Sequence, residues 1–168
     1  GRSYTLIHNV DDLQNIVSMG TYALAVDIDA SQTADWNSGA GFIPISGFQG
    51  ALRGLGHTID GLTIQTGSTG AVGLFTVINL TTVRDLTLAN IDISAPNAER
   101  VGALVGLMAY AIIDNVHVTG SVSGLNDVGG IGGWVSDSVF SDVSSAANVT
   151  ATGDRVGGLI GRSYYGLE

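Results

Sequence analysis

Val156-Gly-Gly-Leu-Ile-Gly161 is the stretch whose reading decides the fold. Three glycines beside three aliphatics suit neither a helix interior nor an ordinary strand. The stretch is also not alone: Val101-Gly-Ala-Leu-Val-Gly106 and Val128-Gly-Gly-Ile-Gly-Gly133 precede it, and Val72-Gly-Leu-Phe75 is a shortened copy. The copies start at Val72, Val101, Val128 and Val156, so their spacing is nearly constant. A fixed period of this size is the signature of a stacked-repeat protein.

A second motif accompanies the glycine blocks: Ile59-Asp-Gly-Leu62-Thr-Ile64, Val83-Arg-Asp-Leu86-Thr-Leu88, Ile113-Asp-Asn-Val116-His-Val118 and Phe140-Ser-Asp-Val143-Ser-Ser145. Its first, fourth and sixth positions are apolar except for Ser145, so they are expected to face inward. The fourth and sixth alternate about an outward residue as a strand does, and the longer step from the first to the fourth requires a bend. Gly61, Asp85, Asn115 and Asp142 occupy that bend, and all are residue types that accept unusual backbone angles or bond their own main chain.

In the glycine blocks, Val101, Leu104, Val128, Ile131, Val156 and Leu159 are expected to stack as inward columns. Gly102, Gly106, Gly129, Gly133, Gly157 and Gly161 would let the backbone approach or bend without a Cβ. Parallel coils stacked about 4.8 Å apart pair every strand with those above and below. The step from the second motif to the next glycine block varies: Ile59 to Val72 is the shortest and Val83 to Val101 the longest, with Ile113 to Val128 and Phe140 to Val156 between them. Insertions are therefore assigned to one edge. Ser94-Ala-Pro-Asn-Ala-Glu-Arg100 lies in the longest such step and is expected to project as a recognition loop.

Residues 1–40 fall outside the repeat and read as an N-terminal cap or first coil, followed by solenoid over 41–166. Asn9 or Asp11 caps a short predicted helix over Asp12 to Met19, with Gly20 as its stop, and Tyr22, Leu24, Val26 and Ile28 then alternate as a strand. The uncapped carboxyl end predicts a native protein that continues, and Leu167-Glu168 reads as a possible cloning scar.

Composition supports this reading. The chain has 168 residues, 25 Gly, 2 Pro and no Cys, which favours short strands and tight turns and removes disulfides and thiolate metal sites. Mean hydropathy is +0.34, yet no apolar run approaches the roughly 20 residues of a spanning helix, so membrane insertion is not expected. Six Arg against fifteen acidic residues give a net charge of −9, which argues against nucleic-acid partners. With no Lys, a Lys-Asn isopeptide cross-link is excluded.

The glycine blocks resemble the GLUG repeat, while Tyr4 to Leu13, Tyr22 to Asp29, Gly41 to Ile45 and Phe48 to Leu62 resemble the region preceding such repeats in large exported adhesins. The chain is thus similar to filamentous-haemagglutinin-like, two-partner-secreted adhesins of Gram-negative bacteria. That resemblance implies an all-β, right-handed parallel β-helix, secreted to the cell surface through an outer-membrane transporter. Its coils would each take about 24 to about 30 residues, within the usual range of solenoid repeats. Similar repeats also occur in noncatalytic parts of immunoglobulin-cleaving metallopeptidases.

Candidate sites are sparse. Asp27, Asp29 and Asp35 begin a calcium-loop pattern, but Gln32 and Ser38 stand where its glycine and bidentate glutamate belong. Ordinary turn bonding is the preferred reading. His57 and Asp60 form a conceivable acid–base pair, whereas the remaining acids are distributed singly over the coils, so no catalytic site is assigned and no cofactor is expected. Trp36 and Trp134, with Asn97, Glu99 and Arg100 of the variable loop, are the candidate ligand-binding residues. Trp36, Phe42 and Phe48 are preferred as core, and Trp134 divides evenly between core and an outside position. An ice-binding surface is set aside because the column Thr63, Thr87, His117, Ser144 loses its threonines.

These features point to a noncatalytic β-solenoid segment of a surface adhesin, a stalk or scaffold for loops that engage a host-cell or matrix receptor or a glycan. The alternatives are a carbohydrate-binding module and, third, a polysaccharide lyase or hydrolase.

Overall fold

A computed structural model describes residues 3–164. In chain order the elements are β1 (Thr5–Ile7), α1 (Val10–Gln14), β2 (Met19–Leu24), β3 (Ile28–Asp29), a 3-10 segment (Ser31–Gly39), β4 (Gln49–Arg53), β5 (Thr58–Asp60) and β6 (Thr63–Gln65). There follow β7 (Ala71–Val72), β8 (Phe75–Asn79), β9 (Thr82–Ala95), β10 (Arg100–Gly102), β11 (Val105–Ala109) and β12 (Ile112–Gly124). The series ends with β13 (Val128–Gly129), β14 (Gly132–Ser136), β15 (Val139–Ala151), β16 (Val156–Gly157) and β17 (Ile160–Tyr164). Leu167 and Glu168, assigned to a cloning scar, lie outside the described residues.

Every ladder between these strands is parallel, and strands pair with the coil before and the coil after, which makes the chain a β-solenoid. The long sheet runs β1-β2-β4-β9-β12-β15, while β7-β10-β13-β16 and β8-β11-β14-β17 form two shorter walls. Along the long sheet the pairs run Thr5↔Tyr22, Tyr22↔Leu52, Leu52↔Val83, Val83↔Ile113 and Ile113↔Phe140. The first step is short and the later ones are similar in length, so a partial turn at the N-terminus leads into regular coils. Leu104 and Ile131 are fully buried in the interior, as are Val83, Ile113, Val116 and Val118. Phe48 stacks on Phe75 with ring centroids 4.9 Å apart and closes the core between the early coils.

Three of the four bends occur where the repeat places them, whereas Gly61, expected in the column of Asp85, stands in register with Asn90. Asp85, Asn115 and Asp142 have φ of +55°, +52° and +48°, a left-handed region that Asp and Asn enter at low cost because their side chains bond locally. The glycine blocks turn for another reason. None of Gly102, Gly106, Gly129, Gly133, Gly157 or Gly161 has a positive φ; instead a Cβ on any of them would strike neighbouring backbone. At Gly102 it would lie 2.5 Å from the carbonyl oxygens of Ile131 and Val105.

Several expectations are corrected. Helix α1 covers only Val10–Gln14, capped by the Asn9 side chain on the Asp12 N–H, because Met19 and Gly20 belong to a strand paired with Gln49 and Gly50. Ile59 stacks on Leu88 rather than Val83, whose partner is Leu52. The step from Leu52 to Ile59 is longer than the matching step from Val83 to Leu88, and the added length forms a turn with Leu55 at φ +55°. The outward column is therefore Thr58, Thr87, His117, Ser144, and Thr63 lies beside Asp92. The segment from Ser94 to Arg100 does not project: Ser94 and Ala95 end β9, Ala98 is fully buried and Arg100 pairs with Ala71. Part of the extra length of the step from Val83 to Val101 is a bulge at Asn90, ahead of this segment, where the register with β12 shifts.

The final coil repeats the inward pattern with less cover. Phe140, Val143, Ala147, Val149, Leu159 and Ile160 are partly buried, and Val156 is 50 % exposed where Val101 and Val128 are fully buried.

Candidate functional site

The outer face of the long sheet carries the densest polar chemistry. Asn115 Nδ2 donates to Asp85 Oδ1 at 2.9 Å, and Asn115 Oδ1 faces His117 Nε2 at 3.0 Å. An amide oxygen only accepts, so Nε2 carries the proton; in the neutral ring Nδ1 then accepts from the Ser144 hydroxyl at 2.8 Å. Asn90 Nδ2 donates to Asp60 Oδ1 at 2.8 Å, Ser121 Oγ to Asp92 Oδ1 at 3.1 Å, and Arg84 pairs with Asp114 at 3.4 Å. Apart from the Asn115–His117 contact, each of these links one coil to the next. The acids are thereby tied to partners on adjacent coils, whereas glycoside hydrolysis requires two carboxylates flanking one bond.

His57 does not pair with Asp60. Its Nδ1 lies 3.0 Å from Asp27 Oδ1, which also accepts the Thr58 N–H at 3.0 Å. The Thr58 N–H, seconded by His57, holds the Asp27 carboxyl below the ordinary aspartate range. Asp29 is lowered by the Ser31 hydroxyl and N–H, the latter at 3.0 Å, in a turn of the kind Asp favours. Asp35 is exposed within the 3-10 segment. No group of three or more His, Asp or Glu suited to a metal ion occurs among the described residues.

The two tryptophans occupy different environments. Trp36 packs on the core, stacked with buried Phe42 at 6.5 Å and 17°. Trp134 sits on the outer face of β14, flanked in register by Leu107 and Arg162, and lies nearly parallel to Tyr164 with centroids 6.3 Å apart. Asn97 and Glu99 are exposed, and Glu99 Oε2 accepts from Asn126 Nδ2 at 3.3 Å. Arg100 is part of β10, its Nε buried without a hydrogen-bond partner. The structure does not bring this segment to either tryptophan as one site: Trp36 belongs to the early coils and Trp134 to another wall.

Sequence reasoning missed a cleft of about 330 Å³ on the outer face of the first coils, lined by Tyr4, Leu6, Ala23, Arg53, Leu55 and Asp85. The signal was a small residue in a column of large ones: Leu6, Ala23, Arg53 and Arg84 stand side by side in register. It becomes readable only when the pairing is known.

Comparison with known proteins agrees with this architecture. Residues 4–120 match the family described as the M26 IgA1-specific metallo-endopeptidase N-terminal region. The chain is 35 % identical over 175 residues to halomucin of Haloquadratum walsbyi, covering 83 % of this chain and 2 % of that protein. It is 29 % identical over 153 residues to the zinc metalloprotease ZmpC of Streptococcus pneumoniae serotype 4, covering 86 % of this chain and 8 % of that one. A Bacteroides ovatus crystal structure described as "a putative immunoglobulin A1 protease" shares the fold, with TM-score 0.59 and 18 % identity over 96 % of this chain and 62 % of that one. The chain thus spans a small fraction of the curated relatives it matches. It belongs to the M26 IgA1-specific metallo-endopeptidase N-terminal region family.

Proposed function

We propose that this chain is a noncatalytic solenoid segment of a large exported surface protein, acting as a rigid scaffold that sets distance and displays binding surfaces. The observation that carries the reading is the bonding of the outer polar residues. Asp60, Asp85 and Asp92 are each hydrogen-bonded to the following coil, which stiffens the rod and occupies the groups an active site would use. Zinc peptidases of the His-Glu-x-x-His type hold two histidines one helical turn apart. Here the three histidines, His8, His57 and His117, stand on separate coils and none is followed by Glu. Membership of an N-terminal-region family and the small share of each long relative that is matched support a structural segment.

The resemblance of the glycine blocks to exported adhesins supports a finer reading, in which a transporter delivers the protein to the surface and the solenoid serves attachment to a host receptor, matrix protein or glycan. No helix among the described residues is long and apolar enough to cross a membrane, in keeping with a surface role.

A carbohydrate-binding role is favoured by one feature, the parallel Trp134–Tyr164 pair on an outer face, a geometry on which a sugar ring can stack. The test is to incubate the purified chain, with and without zinc, with peptide and polysaccharide substrates and to probe a glycan array beside it. The scaffold reading expects no turnover. Product formation abolished by His57→Asn would overturn it, and array binding lost in Trp134→Ala alone would establish the carbohydrate role instead.

A further inference from the structure

The cleft on the first coils combines a small floor residue, an exposed apolar rim and charged side chains. Its floor is Ala23, a small residue only 3 % exposed that stands between Leu6 and Arg53 in register and leaves a notch about two strand spacings wide, roughly 10 Å. Its rim includes Leu55, 59 % exposed and at φ +55°, a left-handed backbone shared by the exposed corner residues Leu80 and Tyr110.

The cleft also carries charge. The protein has six Arg against fifteen acids, and Arg84 and Arg155 are paired with Asp114 and Asp127. Arg53, like Arg100 and Arg162, has no ion-pair partner among the described residues, and of these three only Arg53 lines the cleft. Asp85 lies on the Arg53 side of the cleft, one coil further along, with one oxygen engaged by Asn115. Tyr4, Leu6, Ala23 and Leu55 supply an apolar lining, which suits an aliphatic or aromatic side chain better than a hydroxyl-rich sugar that needs several polar partners.

We propose that this cleft binds an extended acidic-apolar peptide segment of another protein. Its apolar side chain seats on Ala23 between Leu6 and Leu55, an adjacent carboxylate meets the Arg53 fork, and a peptide N–H donates to Asp85. Arg53 supplies the charge complementarity, because a planar guanidinium recognises a carboxylate in two-point fashion.

Amide-resolved NMR titration of the purified chain tests the proposal, using N-acetyl-Leu-Glu-amide, N-acetyl-Leu-Gln-amide and glucuronate as probes. The Glu peptide should shift the amides of Leu6, Ala23, Arg53 and Leu55 saturably, and the Gln peptide should bind about tenfold more weakly, as expected for loss of one charge-assisted contact. Arg53→Gln should bring the Glu peptide down to the affinity of the Gln peptide. Ala23→Leu, which fills the floor, should abolish both while the amides of Val116 and Val118 stay in place. Absence of saturable shifts at the cleft overturns the proposal, as does an unchanged preference for Glu in Arg53→Gln. Stronger shifts with glucuronate than with either peptide would assign the cleft to an acidic sugar and equally overturn it.

Discussion

At Gly102 and at Asn115 the chain changes direction, yet the two bends rest on different physics. Gly102 has an ordinary negative backbone angle and is confined by space, with the carbonyls of Val105 and Ile131 where a Cβ would stand. Asn115 has φ +52°, and its side chain bridges Asp85 of the preceding coil and His117 of its own. Glycine permits one corner by having no side chain; asparagine stabilises the other by having the right one. Substitutions therefore have different consequences at the two corners, although both positions look like turns in the sequence.

The largest effect is expected at the column beside the glycine corner. Leu104→Asp places an unpaired carboxylate in a fully buried position, and cooperative unfolding should be lost in thermal melts followed by circular dichroism. Gly102→Ala comes next, because the clash is with backbone that cannot rotate away: a loss of about 3 kcal/mol in urea unfolding is expected. At the other corner, Asn115→Val combines a β-branched residue in the left-handed region with loss of two hydrogen bonds, and should cost about 2 kcal/mol by the same measurement.

The smallest effect concerns Asp27, which is exposed but bonded to Thr58 and His57. Its carboxyl is held below the usual value of 3.8, so it adds stability above that pH, and the increment is lost as pH falls through its lower folded-state value. The melting temperature of Asp27→Asn should accordingly trail the parent slightly near neutrality and converge with it in acid. A gap independent of pH would show that the ionised carboxylate contributes nothing.

The period and the bends were legible because they depend on local chemistry repeated in each coil. Asp85, Asn115 and Asp142 announce a left-handed backbone, and glycine-flanked aliphatics announce buried columns. The phase of the early coils was not legible, since the Leu55 turn lengthens one coil between Leu52 and Ile59 and a motif match cannot register a silent insertion. The helix expectation overextends for a related reason: Leu13 and Ile16 are buried, but Val17 and Met19 are 60 % and 71 % exposed because the helix ends at Gln14 and the chain leads into β2 from Met19. Trp134 and the Ala23 cleft depend on what lies one coil away, which pairing alone determines.

Urea unfolding of Gly102→Ala and Asn115→Gly under identical conditions most directly tests whether one corner is limited by space and the other by backbone angle. Gly102→Ala should lose about 3 kcal/mol, whereas Asn115→Gly, which suits the left-handed angle and loses only side-chain hydrogen bonds, should lose about 1 kcal/mol or less. Equal losses, or a larger loss for Asn115→Gly, would contradict the distinction between the corners and the coil register on which it depends.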